Sequence, residues 1–116
     1  MPFIKLGSLT QLEPIPGYKG RFIHSDTMTL AYWEVAPDSP IPEHSHPNEQ
    51  IVNLLEGTFQ LTVGGEPMTL QAGDIVVIPP DVPHSGSSKT ACRILDAFHP
   101  VRGDLRDLEE RGTEPA

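Results

Sequence analysis

Glycine and proline punctuate this chain so closely that no long helix fits between them. The 13 prolines and 10 glycines cut it into apolar runs of strand length joined by tight turns. Met28 to Ala36, rich in β-formers such as Tyr32, Trp33 and Val35, reads as a strand, with Gly20 to His24 before it and the polar turn Ser25-Asp26-Thr27 between. Ile51 to Leu55 runs to a turn at Glu56-Gly57, and Phe59 to Val63 to a turn at Gly64-Gly65. Met68 to Gln71 returns through Ala72-Gly73-Asp74 to Ile75-Val76-Val77-Ile78, a continuous β-branched run that predicts a strand buried on both faces. Thr90 to Phe98 is the last strand. This pattern predicts an all-β domain, and 116 residues suffice for one core.

The two ends differ from the body. Residues 1–17 read as an N-terminal arm, extended from Phe3 to Leu12 and broken by Glu13-Pro14-Ile15-Pro16-Gly17; the barrel is expected over 18–102, and 103–116 form a charged tail. Asp104 to Arg111 fits a short surface helix, and the final Gly112 to Ala116 is expected to fray. Pro37-Asp38-Ser39-Pro40-Ile41-Pro42 is a stiff connector, unable to donate regular ladder bonds, that leads into Glu43-His44-Ser45-His46.

His44 and His46 stand two residues apart, so a strand presents both on one face, where two imidazoles can share a metal. Gln50 keeps the same parity, and His84 arrives in a second segment, Gly73 to His84, with similar punctuation. A site built from two hairpins is implied, with His24 and His99 outside it. The plainer reading is a set of solvated histidines at strand ends. Of the two aromatics on the Met28–Ala36 strand, Tyr32 and Trp33 must face opposite sides, and the inward one is expected to fill the core. Cys92, the single cysteine, reads as a small strand residue.

Eight basic residues against 16 acidic ones give a formal charge of −8 with no basic stripe, which argues against nucleic acid as a partner. No apolar run approaches membrane-spanning length. The first residues lack a basic start and an apolar signal core, so the expectation is a cytoplasmic protein. The apolar arm Phe3-Ile4-Lys5-Leu6 could pair with a sheet edge of a second copy, and a homodimer is expected.

The pattern Asp38-(five residues)-His44-x-His46-(three)-Gln50-(six)-Gly57, followed by Gly73-(five)-Pro79-x-Asp81-(two)-His84, resembles the two motifs of the cupin superfamily. The resemblance implies a single-domain cupin, a double-stranded β-helix or jelly-roll barrel. It also implies a metal ligand set of His44, His46, Gln50 and His84. Asp38, Asp81 and Ser88 replace two glycines and an asparagine of the family at turn positions, where Asp and Ser are tolerated. Gln50 stands where many cupins carry glutamate. The set is therefore neutral and leaves a divalent ion a stronger electrophile. Zinc, nickel, iron, copper and manganese remain open.

A narrower resemblance lies in Asp96-Ala97-Phe98-His99-Pro100-Val101-Arg102, which is similar to the corresponding segment of the small KdgF-type cupins of pectin and alginate breakdown. Those open unsaturated uronates into linear keto sugars. By that resemblance Asp96 transfers a proton, Phe98 shapes the pocket, and Arg102 binds the carboxylate of a small-molecule substrate. The plainer alternative makes Asp96 a structural hydrogen-bond partner and Arg102 a surface residue. Two other functions stay open: a non-catalytic sugar-binding or sensing barrel, and a dioxygenase using iron or nickel.

Overall fold

The computed structural model describes residues 2–111 and consists of two antiparallel sheets packed face to face, the jelly-roll arrangement of an all-β domain. After a 3-10 turn at Leu6–Ser8 the strands run β1 (Leu12–Ile15), β2 (Tyr18–His24), β3 (Thr29–Val35), β4 (Pro40–His44) and β5 (Glu49–Glu56). Then come β6 (Thr58–Val63), β7 (Glu66–Gln71), β8 (Ile75–Ile78), β9 (His84–Ser88) and β10 (Cys92–His99), followed by helix α1 (Gly103–Arg111). The larger sheet has the order β1-β2-β3-β10-β5-β8 and the smaller β4-β9-β6-β7. No described helix is long and apolar enough to cross a membrane.

Alternation sets the core. Along β10, Cys92, Ile94, Asp96 and Phe98 are buried while the residues between them are not, and β5 does the same with Gln50, Val52 and Leu54. Val52, Leu54 and Ile94 of the larger sheet meet Phe59, Leu61 and Leu70 of the smaller one in the main cluster. At about 1.5–3 kcal/mol for each fully buried large side chain, this inter-sheet layer is the principal stabilising term. Cys92 is buried there, its thiol directed at the carbonyls of Thr58 and Thr90.

Turn chemistry follows the glycines. Gly57 closes the β5–β6 turn at φ +95°, where an added Cβ would collide with the carbonyl of Ala91 and lie 2.7 Å from the Cys92 sulfur. Asp38 and Asp81 adopt left-handed backbone with φ of 55° and 64°, which a short polar side chain tolerates.

Four segments differ from the sequence expectation. The Glu13–Gly17 stretch does not break the structure: β1 covers Leu12–Ile15 and pairs with β2, because Leu12 buries its side chain beside Phe22. The proline-rich connector joins a ladder too. β4 is the edge of the smaller sheet, pairing with β9 on one side only, and an edge has no need of a second row of donors. β8 is not buried on both faces. It is the edge of the larger sheet, so Ile75 and Val77 are 62% and 56% exposed and only Ile78 is fully covered. Finally, α1 is no loose surface helix, since Leu105 and Leu108, three residues apart, pack with Leu12, Phe22 and Phe98. The expected fraying of Gly112 to Ala116 lies outside the described residues. Residues 2–5 form no strand, with Phe3 and Ile4 exposed.

Candidate metal centre

Three histidines converge where the smaller sheet's edge meets the start of β5. His44 ends β4, His84 begins β9 directly opposite it in register, and His46 lies in the loop between β4 and β5. One ligating atom from each falls within 4.8 Å of the others, a cluster that could hold a metal ion. His24 and His99 are not part of it.

Backbone carbonyls orient the rings. Each Nδ1 faces a carbonyl two residues away: His44 to Pro42 at 2.9 Å, His46 to Asn48 at 3.0 Å and His84 to Val82 at 2.9 Å. A carbonyl can only accept, so Nδ1 carries the ring proton and Nε2 presents its lone pair to the centre. Burial depresses the proton affinity of His46 and His84, with the charge of Arg102 acting the same way on both, which keeps the lone pairs available.

Gln50 completes the group. Its Oε1 stands 3.1 Å from His46 Nε2, and with the ring proton on Nδ1 both are lone-pair atoms. A cation between them resolves the opposition. His84 Nε2 is buried without a hydrogen-bond partner among the described residues, a second lone pair that an ion would satisfy. The residues therefore fit a divalent metal.

Next to the cluster, Asp96 is a buried carboxyl of which one oxygen is satisfied: Oδ2 accepts from the Trp33 indole at 3.1 Å, and Oδ1 has no hydrogen-bond partner among the described residues. Burial pushes its pKa up to about 7, against the opposing influence of the Gln50 amide, the Trp33 indole and the Arg102 charge. Trp33 is the inward one of the two strand aromatics, and it holds the carboxyl as well as lining the cavity.

Arg102 is brought to the same cavity, its backbone amide held by Thr29 Oγ1 at 2.9 Å and its guanidinium 4.7 Å above the ring of Phe98. Its fork is already engaged. Nε and an Nη donate to the two carboxylate oxygens of Asp104 at 2.9 and 2.6 Å, and this pairing lowers the pKa of Asp104. A substrate carboxylate would meet this fork already paired with Asp104. Asn48, whose amide donates to the Pro100 carbonyl at 2.6 Å, ties the loop beside His46 to the segment leading to Arg102. Neither Trp33 nor Asp104 carried a sequence signal for these roles, apart from Trp33's inward parity on its strand.

His44, Gln50, His84, Asp96, Phe98 and Arg102 all line one cavity of about 260 Å³. Residues 31–98 match the Cupin_2 model, described as a cupin domain.

The chain belongs to the cupin family.

This cupin is 34% identical over 78 residues to the HTH-type transcriptional regulator PuuR of Escherichia coli strain K12, an alignment covering 65% of the chain and 42% of the regulator. The match thus spans less than half the length of that curated relative. Among solved structures, an RmlC-like cupin from Shewanella frigidimarina superposes with a TM-score of 0.85 at 24% identity, covering 90% of this chain and 96% of the other. KdgF from a Halomonas species gives 0.83 at 21%, with 90% and 98% covered. At these identities the likeness establishes the cupin fold.

Proposed function

We propose that this cupin is a cytoplasmic, metal-dependent enzyme that moves a proton on a small anionic molecule bound between the histidine cluster and Asp96. His44, His46, His84 and Gln50 would hold the ion. When bound, a divalent metal supplies Lewis acidity toward a ligand oxygen without a carboxylate among its ligands to offset its charge.

Asp96 carries the reading. A carboxyl that titrates near neutrality on the wall of the cavity, with one oxygen oriented by Trp33 and the other without a hydrogen-bond partner among the described residues, can give or take a proton at physiological pH. Phe98 and the Arg102–Asp104 pair narrow the approach. The narrower form of this proposal is ring opening of an unsaturated uronic acid, supported by the Asp96-to-Arg102 segment and the similarity in shape to KdgF.

The similarity to a transcriptional regulator favours a second reading, a barrel that senses a ligand without turning it over. Loss of ultraviolet absorbance from an unsaturated galacturonate or mannuronate tests both. Turnover that disappears in Asp96→Asn at normal zinc content supports the enzyme, whereas saturable binding without turnover favours the sensor.

Pairing of two copies belongs to the same proposal. β8 is the one edge strand, among the described residues, that contains no proline, and it exposes Ile75 and Val77. A monomer in sedimentation at micromolar concentration would remove this part.

A further inference from the structure

The cavity changes character with depth, and strand register shows where. Gln50 lies opposite Phe98, Val52 opposite Asp96 and Leu54 opposite Ile94, while on the smaller sheet His84 pairs with Val63 and Gly86 with Leu61. Each inward step of two residues along these strands leaves the polar groups behind. His44, His84, Gln50 and Arg102 mark the outer level, and Asp96 the next. Below them lie Leu61, then Phe59, Ile94 and Trp33, with Tyr18 at the floor.

The two polar atoms in that lower part are already used. The Tyr18 hydroxyl donates to the Ser39 carbonyl at 2.7 Å, and the Trp33 indole donates to Asp96. Among the described residues, Ser85 is the one further hydroxyl-bearing side chain on the wall. A hexuronate carries hydroxyls around its whole ring, and each one buried without a partner loses its hydration uncompensated. An apolar body incurs no such loss, and each buried CH₂ adds to the affinity.

We infer that the ligand of this site is a small acid with an apolar body, its oxygen-bearing head at the histidine cluster and Asp96 and its hydrocarbon part among Leu61, Phe59, Ile94 and Trp33. The inference rests on the proposal that this mouth is the metal-dependent binding site of a small anion, and it stands against the narrower uronate form of that proposal. Size sets the scale. An apolar cavity of roughly 150 Å³ accepts benzene, so 260 Å³ suits a substituted phenyl ring or a chain of comparable bulk.

Trp33 is the single tryptophan, so its fluorescence reports directly on the lower cavity. The zinc-loaded protein is titrated with 3-phenylpropanoate, octanoate and galacturonate, following both Trp33 emission and heat, with zinc uptake measured separately. The expected result is saturable binding of the two apolar acids at least tenfold tighter than galacturonate, with a shift in Trp33 emission. The near-isosteric Val52→Thr, which places a hydroxyl on the wall at the level of Asp96, where the apolar body begins, should weaken the apolar acids about fivefold or more and leave zinc uptake unchanged.

Preference for galacturonate would overturn the inference while leaving the metal-site proposal standing. So would binding that ignores Val52→Thr, or no binding of any acid to a protein that takes up zinc. Failure to take up zinc would remove the metal-site proposal, and the inference with it.

Discussion

Replacing Asp96 with asparagine in the metal-free protein isolates the electrostatics of the site from its chemistry. Asp96 is 8% exposed, Oδ1 has no hydrogen-bond partner among the described residues, and its pKa lies at about 7 against an ordinary value of 3.8. The folded protein therefore holds a proton that the unfolded chain gives up from about pH 4 onward. Folding binds protons, so the wild type loses stability as pH rises from about 4 to about 7 and levels off above that. At 1.36 kcal/mol per pH unit, the gap from 3.8 to about 7 sets a ceiling of about 4 kcal/mol. His46 and His84 act in the opposite sense. Their folded-state pKa values lie below 6.5, so they cost stability as pH falls through that region, equally in wild type and variant. Asparagine keeps an acceptor for the Trp33 indole and adds a buried amide whose cost is independent of pH. Urea unfolding followed by circular dichroism between pH 4 and 8.5 should show the variant gaining on the wild type as pH rises, by up to about 4 kcal/mol, and then holding constant. A difference that stays flat over that range would show that Asp96 is not a desolvated, raised carboxyl.

Three further outcomes are expected. Gln50→Glu should retain zinc by elemental analysis while lowering turnover, because the added charge weakens the ion's pull on an anionic ligand. Asp104→Asn should release the Arg102 fork and tighten binding of a carboxylate ligand several-fold by calorimetry, whereas Arg102→Ala should weaken it and leave zinc content unchanged. Gly57→Ala should lower the unfolding free energy by about 2–4 kcal/mol in urea melts, since the left-handed backbone and the contact with the Ala91 carbonyl both oppose a Cβ.

What the sequence reveals and what it conceals divides along contact range. Turn glycines, strand alternation and the His44-x-His46 spacing are local, and the paired motif with His84 extends them to a site because both segments end in ladders that meet at His44 and His84. The burial of β8 is not local: Ile75 to Ile78 reads the same whether its strand is central or at an edge, and only the sheet order decides. Trp33 and Asp96 are 63 residues apart, and their hydrogen bond follows from the pairing of β3 with β10. Asp104 looked like one acid in a charged tail. Its partnership with Arg102 depends on α1 docking through Leu105 and Leu108, a burial that a short charged segment does not advertise.

The match to the family model stops at residues 31 and 98, yet the cavity does not. Pro14 and Ile15 from β1, and Arg102, Asp104 and Leu105 at the start of α1, form part of its wall from outside that span. The histidines, Gln50 and Asp96 thus lie in the portion matched by the family model, while the two ends of the chain complete the wall, Ile15 beside Tyr18 at the floor and Arg102, Asp104 and Leu105 near the mouth. Such a division lets the ends vary without altering the histidine cluster. Exchanging residues 12–17 and 100–108 between cupins, rather than redesigning the barrel, is accordingly the most economical route to a different ligand.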